Sequence, residues 1–152
     1  MAEQQPAVRR TWRTRLPLEF GHFVLFDFSG HSSPADLHTM DSHWIAVSGA
    51  GGAMFHATDR NLEADVIVNL HDTEPEPDDV GDHSYAGGFH IDSGNLLLAA
   101  STGSPTDITV DLPAPGDYRL SARRLPDLVD TSLGDQARCE QWIVRIWPAR
   151  PS

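Results

Sequence analysis

The sequence predicts an all-β fold, a single-domain antiparallel β-sandwich or jelly roll of about ten strands. Apolar and polar residues alternate with a period of two along most of the chain, as expected for strands with one buried face. Turns rich in Gly, Pro and Asp interrupt these segments roughly every ten residues. With 152 residues, 39% of them hydrophobic, the chain fits one domain, residues 1–152, that can bury a sizeable core.

Five strands are predicted in the first half of the chain. The first carries arginines on one face and Trp12 and Leu16 on the other. The second is rich in aromatic residues, and the third and fourth flank a glycine-rich turn. The fifth is almost wholly apolar with a β-branched centre, which favours a central position in a sheet. These predicted strands are residues 8–16, 21–28, 43–47, 53–57 and 64–70.

Five more strands are predicted in the second half. The turn Asp92-Ser93-Gly94 between two apolar segments is typical of a β-hairpin. Two surface loops are expected, at residues 72–86 and 125–138. Residues 33–39 are the best candidate for a helix, of one or two turns. The predicted strands are residues 87–91, 95–100, 108–112, 118–123 and 141–147.

Charge is segregated along the chain. Between Leu16 and Tyr118 there are seventeen acidic residues and one basic residue, Arg60; the other ten arginines lie in residues 1–15 and 119–152. The net charge of −11 would repel nucleic acid and anionic membranes, so neither is an expected partner. The pattern predicts a strongly negative surface that suits a basic protein partner, or simply a soluble protein.

The densest acidic stretch, residues 71–83, is predicted to be an exposed loop stiffened by Pro75 and Pro77. Its carboxylates could imitate the charge row of a nucleic acid and bind the groove of a basic nuclease. Calcium is disfavoured, since the prolines occupy the flexible positions of a calcium loop. A solvated loop that prevents sheet aggregation is the alternative. The predicted partner-binding residues are Asp72, Glu74, Glu76, Asp78, Asp79, Asp82 and Tyr85.

Catalysis has weaker support, so a non-enzymatic module is expected. No G-x-S-x-G motif is present, and Cys139 is expected to be inert. The eight histidines lack established metal-binding spacing. In a jelly roll, however, His71, His83 and His90 could converge on a divalent metal, which leaves a metal-dependent or small-ligand-binding enzyme as an alternative. No other cofactor is indicated. Asp27 is expected on the solvent face or bonded to a turn.

Cytoplasmic localisation is the default expectation. The N-terminus lacks an apolar signal region, and the apolar run 96–100 is too short to span a bilayer. The single cysteine excludes an internal disulfide. A basic set made only of arginine suits a bacterial protein. A structural subunit is a further alternative, in which the arginine-bearing first strand pairs with the acidic middle of a neighbouring copy.

The C-terminal quarter combines a Gly-Asp-Tyr-Arg-Leu strand at 116–120, a polar loop, and an apolar strand at 140–148 that ends in Trp147-Pro148. This order resembles the ending of ComJ-like bacterial β-sandwich proteins. Members of that group include an inhibitor of a DNA-entry nuclease and immunity-type relatives. The resemblance implies a β-sandwich fold and favours an inhibitor or immunity role.

Overall fold

The computed structural model describes residues 8–18, 21–27, 45–56, 63–75, 84–100, 103–125, 128–129 and 138–149. Within these ranges the chain forms strands and no helix, which confirms the predicted all-β class, and no helix there could cross a membrane. The strands are β1 (Val8–Pro17), β2 (His22–Asp27), β3 (Ala46–Gly49), β4 (Gly52–His56), β5 (Glu63–His71), β6 (Ser84–Ile91), β7 (Asn95–Ala100), β8 (Ile108–Asp111), β9 (Gly116–Arg124), β10 (Leu128–Val129) and β11 (Arg138–Pro148).

The strands form two sheets that pack as a sandwich. The larger sheet has the order β1-β5-β11-β9-β6, with the short β10 paired to β11. The smaller sheet has the order β3-β4-β2-β7-β8. The predicted central position of the fifth strand is confirmed, since β5 lies between β1 and β11. The helix candidate at 33–39 lies outside the described residues.

One strand pair departs from the expected antiparallel arrangement. β11 runs parallel to β5, with Trp142 beside Val66 and Val144 beside Val68. Parallel neighbours cannot be joined by a tight turn and need a long crossover. Here the crossover is the chain from β6 to β10, which visits both sheets before it returns. The alternation pattern of β11 predicts a strand but cannot reveal which neighbour it joins.

The core lies between the inner faces of the two sheets. Phe23 of β2 stacks on Phe55 of β4 with ring centroids 4.8 Å apart. The Trp142 ring of β11 meets both rings edge-on, at 5.2 Å from Phe23 and 5.8 Å from Phe55. All three side chains are fully buried. This cluster couples the centres of the two sheets, because β2 and β4 belong to one and β11 to the other.

The turn at residues 92–94 does not make the predicted hairpin. β6 pairs with β9 in the larger sheet, whereas β7 pairs with β2 and β8 in the smaller sheet. The turn therefore carries the chain from one sheet to the other. Asp27, at the end of β2, accepts hydrogen bonds from the backbone N–H groups of Asp92 and Ser93. Turn composition predicted a change of direction correctly, but it does not specify pairing.

The two sheets meet along one side of the sandwich. The backbone N–H of Gly51, in the β3–β4 turn, donates to the carbonyl of His90 in β6 at 2.8 Å. The Ser48 hydroxyl of β3 donates to the carbonyl of Gly88 at 2.8 Å. These hydrogen bonds join the edge strands β3 and β6. The outer face of the larger sheet lies next to this junction.

Candidate partner-binding surface

The acidic segment leaves the larger sheet at the end of β5. His71, the last residue of β5, is buried. The next residue, Asp72, pairs its carboxylate with the Arg9 guanidinium of β1 at 3.0 Å. Glu74 is exposed and Pro75 is buried. The segment therefore begins with one ion pair and one buried ring, and it presents the Glu74 carboxylate to solvent. Of the other predicted partner-binding residues, Glu76, Asp78, Asp79 and Asp82 lie outside the described residues.

Where β1 lies beside β5, arginines of β1 pair with acidic residues of β5, so the charges that are separated in the sequence balance locally. The Arg13 guanidinium donates two hydrogen bonds to the Asp65 carboxylate, at 2.6 and 3.0 Å. Arg15 approaches Glu63 at 3.5 Å. The arginine face of β1 thus meets acidic residues of its own chain. These contacts are the ones that the structural-subunit alternative assigned to a neighbouring copy.

A cleft of about 370 Å³ opens on the outer face of the larger sheet, beside the start of the acidic segment. Glu74 and Pro75 form part of its wall. The arginines Arg119, Arg123 and Arg145 also line it, together with Trp147. Sequence reasoning did not identify this set. Alternation along β9 places Arg119 and Arg123 on one face, but their proximity to Arg145 depends on the pairing of β9 with β11.

Tyr85, one of the predicted partner-binding residues, packs against the core from β6. Its hydroxyl lies 2.8 Å from the Ser48 hydroxyl of β3, so it contributes to the junction between the two sheets. The residue also borders the cleft. Tyr85 and Glu74 therefore line the same cleft, and the Tyr85 hydroxyl is engaged within the protein.

Two histidines of the predicted metal site, His71 and His90, lie on strands of the larger sheet that are not neighbours. His71 ends β5 and His90 lies in β6, and the sheet order places β11 and β9 between these strands. Three inter-strand spacings amount to roughly 14 Å. His83 lies outside the described residues. Within the described ranges there is no group of three or more His, Cys, Asp or Glu residues able to hold a metal.

His90 instead lies between two carboxylates on the surface. Its Nδ1 is 2.8 Å from Asp117 of β9, and its Nε2 is 3.3 Å from Asp92. The hydrogen bond with Asp117 is the main cause that raises the pKa of His90 above its ordinary value of 6.5, and the Asp92 carboxylate adds to it. When protonated, His90 pairs with one carboxylate on β9 and one in the turn that follows β6.

No family model matches this sequence, and a search of curated proteins gives no significant match. Solved structures similar to the chain include ComJ from Bacillus subtilis, described as an inhibitor of the DNA-degrading activity of NucA. The two share 17% identity over 95% of this chain and 98% of ComJ, with a TM-score of 0.60. The product of crocagin biosynthetic gene J shares 18% identity over 99% of this chain and 100% of that chain, with a TM-score of 0.53. At these identities the similarity shows a shared, ComJ-like fold over almost the whole chain.

Proposed function

We propose that this chain is a non-enzymatic binding module that inhibits a basic protein, such as a nuclease. The observation that carries the proposal is the start of the acidic segment, which is anchored at Asp72 and Pro75 and exposes Glu74. The ComJ-like fold supports it, because ComJ inhibits the DNA-degrading activity of NucA. The proposed contact residues are Glu74, Glu76, Asp78, Asp79 and Asp82, with Asp72 as the anchor and Tyr85 beside them.

Long-range electrostatics would bring the partners together. The chain has a net charge of −11, and an oppositely charged groove would be attracted before contact. Such steering accelerates association and weakens as salt shortens the screening length. The carboxylates would occupy the groove in place of a nucleic acid backbone. This competition would block a nuclease without any catalytic step by the inhibitor.

Anchoring at the start of the segment would reduce the entropic cost of binding. A loop that is already held loses less conformational freedom when a partner docks on it. The Asp72–Arg9 pair and the buried Pro75 ring restrain the described part of the segment. Pro77, further along, limits its own backbone torsion. We also propose a cytoplasmic location, where the lone Cys139 would remain reduced.

The first test is inhibition of a nuclease or toxin encoded beside this chain in its genome. Degradation of supercoiled plasmid is followed with rising inhibitor concentration, and affinity is measured at about 50 mM and about 300 mM NaCl. The Glu74→Gln variant, and a triple variant that adds Asp78→Asn and Asp82→Asn, remove charge from the segment. Asp111→Asn is the matched control, because Asp111 is an exposed acid of β8 in the other sheet.

Inhibition by the native chain is expected, with a dissociation constant that rises steeply with salt. Glu74→Gln should weaken binding several-fold and the triple variant by about tenfold or more, since charges at an interface mainly change association. Asp111→Asn should bind as the native chain does. Salt-independent binding, or equal loss in Asp111→Asn and Glu74→Gln, would contradict the proposed surface. Recovery of no basic partner from host lysate at low salt would contradict the function itself.

A further inference from the structure

The cleft on the outer face of the larger sheet results from the order of side-chain sizes across three strands. In its centre, Ala86 of β6 faces Ser121 of β9, and Ser121 faces Arg145 of β11. The two small residues form a low floor. Arg119 and Arg123 stand on the same face of β9, on either side of Ser121. The alternation of large and small side chains along this face of β9 therefore creates the cleft.

The cleft concentrates positive charge in an acidic protein. Three guanidinium groups line it against one carboxylate, that of Glu74. In the described part of the chain, neither Arg119 nor Arg123 forms an ion pair, whereas Arg9, Arg13 and Arg15 each do. With a net charge of −11 the chain has an excess of acids, yet none of the described ones pairs with these two arginines.

The residues that line the cleft indicate the chemical class of ligand that it can bind. Guanidinium groups present parallel N–H donors that match the two oxygens of a carboxylate or phosphate. The Trp147 ring and the buried Pro75 supply apolar surface next to them. A volume of about 370 Å³ is at the lower end of the range for small-molecule sites. We propose that this cleft binds a small organic oxyanion, with the anionic group between Arg119 and Arg123 and an apolar body towards Trp147.

This site overlaps the proposed contact surface for a basic protein at Glu74 and Tyr85, and a substitution of Glu74 distinguishes the two proposals. Glu74 lines the cleft, so its negative charge would repel an anion there but attract a basic partner. Glu74→Gln should therefore tighten oxyanion binding and weaken partner binding. Failure of either proposal leaves the other standing, because the two effects have opposite sign.

The probes are phenylacetate and phenyl phosphate, with phenylacetamide as the neutral counterpart of the first. Binding is measured by calorimetry at low ionic strength and by the NMR shift of the Trp147 indole N–H. Both anions should bind and shift that signal, and the amide should not. A stronger response to phenyl phosphate would identify a phosphate monoester as the better ligand, and a stronger response to phenylacetate a carboxylate. If neither anion shifts the Trp147 signal at millimolar concentration, the proposal is overturned.

Arg123→Gln and Arg119→Gln are the test variants. Each should weaken oxyanion binding about tenfold, because each removes a charge-assisted hydrogen bond to the anion. Arg13→Gln is the matched control, since it removes the same charge from the same outer face but lies in β1, away from the cleft. Arg123→Lys keeps the charge and should bind with intermediate affinity. Equal weakening in Arg13→Gln and Arg123→Gln would show a general charge effect and refute the site.

Discussion

Asp27 fixes the path of the chain between the two sheets. Its Oδ2 accepts the backbone N–H groups of Asp92 at 2.6 Å and Ser93 at 2.9 Å, and its Oδ1 accepts the Ser93 hydroxyl at 2.6 Å. The sequence predicted that Asp27 lies on the solvent face or is bonded to a turn, and the structure shows the second, with the side chain buried. Which turn it binds was beyond prediction, because the partners are 65 and 66 residues away.

Replacing Asp27 by Ala should destabilise the fold by roughly 2–4 kcal/mol. The substitution removes three hydrogen bonds to a charged acceptor and leaves two backbone donors without it. Ser93→Ala, which removes one of the three, should cost about 1 kcal/mol. Chemical unfolding followed by tryptophan fluorescence measures both. If Asp27→Ala costs no more than Ser93→Ala, the carboxylate does not hold the turn.

His90 predicts a pH dependence of stability. Asp117 raises the pKa of folded His90 above 6.5, so the folded state favours the charged imidazole. This contribution is fully present below about pH 6.5 and is lost as the pH rises through the folded pKa. The effect should be modest, because the pair is exposed to solvent. An NMR titration should show a raised His90 pKa that moves towards 6.5 in Asp117→Asn, and thermal unfolding of His90→Gln should depend less on pH in this window. A native His90 pKa at or below 6.5 would contradict this account.

At the level of the strands, the local sequence pattern predicted where strands form but not which strands pair. Local patterns predicted ten segments that each overlap a strand of the structure, although the third strand is Ala46–Gly49 and not 43–47. β6 begins at Ser84, inside the predicted loop 72–86, and β10 lies inside the predicted loop 125–138. The local patterns did not reveal the parallel contact of β11 with β5, nor the separation of β6 from β7 into different sheets. Pairing depends on contacts between residues far apart in sequence, which turn composition does not encode. The cleft was missed for the same reason, since it requires β6, β9 and β11 to be neighbours.

The junction between β3 and β6 depends on a glycine. A Cβ atom at Gly87 would lie 2.7 Å from the Ser48 hydroxyl and would also collide with the Tyr85 hydroxyl. Gly87→Ala should therefore push these side chains apart and destabilise the protein by roughly 1–3 kcal/mol. Gly88, the next residue, is the matched control, because its nearest neighbour would be the Tyr118 carbonyl at an ordinary 3.6 Å.

Gly88→Ala should change stability little, or stabilise slightly by restricting the unfolded chain. Thermal unfolding of the two variants under identical conditions compares them directly. Similar melting temperatures for Gly87→Ala and Gly88→Ala would show that the Ser48–Tyr85 contact does not constrain the edge of the sandwich.

Across the whole molecule, the fold brings together opposite charges that lie far apart in the sequence. β1 brings three arginines to the acids of β5 and the following segment. The acidic segment then starts beside the arginines of β9 and β11. Sequence position predicted an excess of negative charge correctly, but the arrangement of that charge follows from strand order. Among the charged residues that line the cleft, the sequence analysis singled out Glu74 but none of the three arginines.

The net charge of −11 predicts that moderate salt stabilises the fold. Like charges repel in the compact state, and salt screens that repulsion. Salt also weakens the three pairs of β1, but exposed pairs contribute only about 0–1 kcal/mol each. We expect repulsion to dominate, so raising NaCl from about 10 mM to about 200 mM should increase the melting temperature. Relief of about 1 kcal/mol corresponds to roughly 2–4 °C for a chain of this length.

The Arg13→Gln variant distinguishes the two contributions. It removes the two-pronged contact with Asp65 and makes the net charge one unit more negative, so its melting temperature should be lower at low salt and rise more steeply with NaCl. Thermal unfolding by circular dichroism over the salt series measures this slope, and an uncharged osmolyte at equal osmolality controls for solvent effects. A native melting temperature that falls with salt would mean that the pairs between β1 and β5 outweigh the repulsion, and that the charge excess imposes no net strain on the folded state.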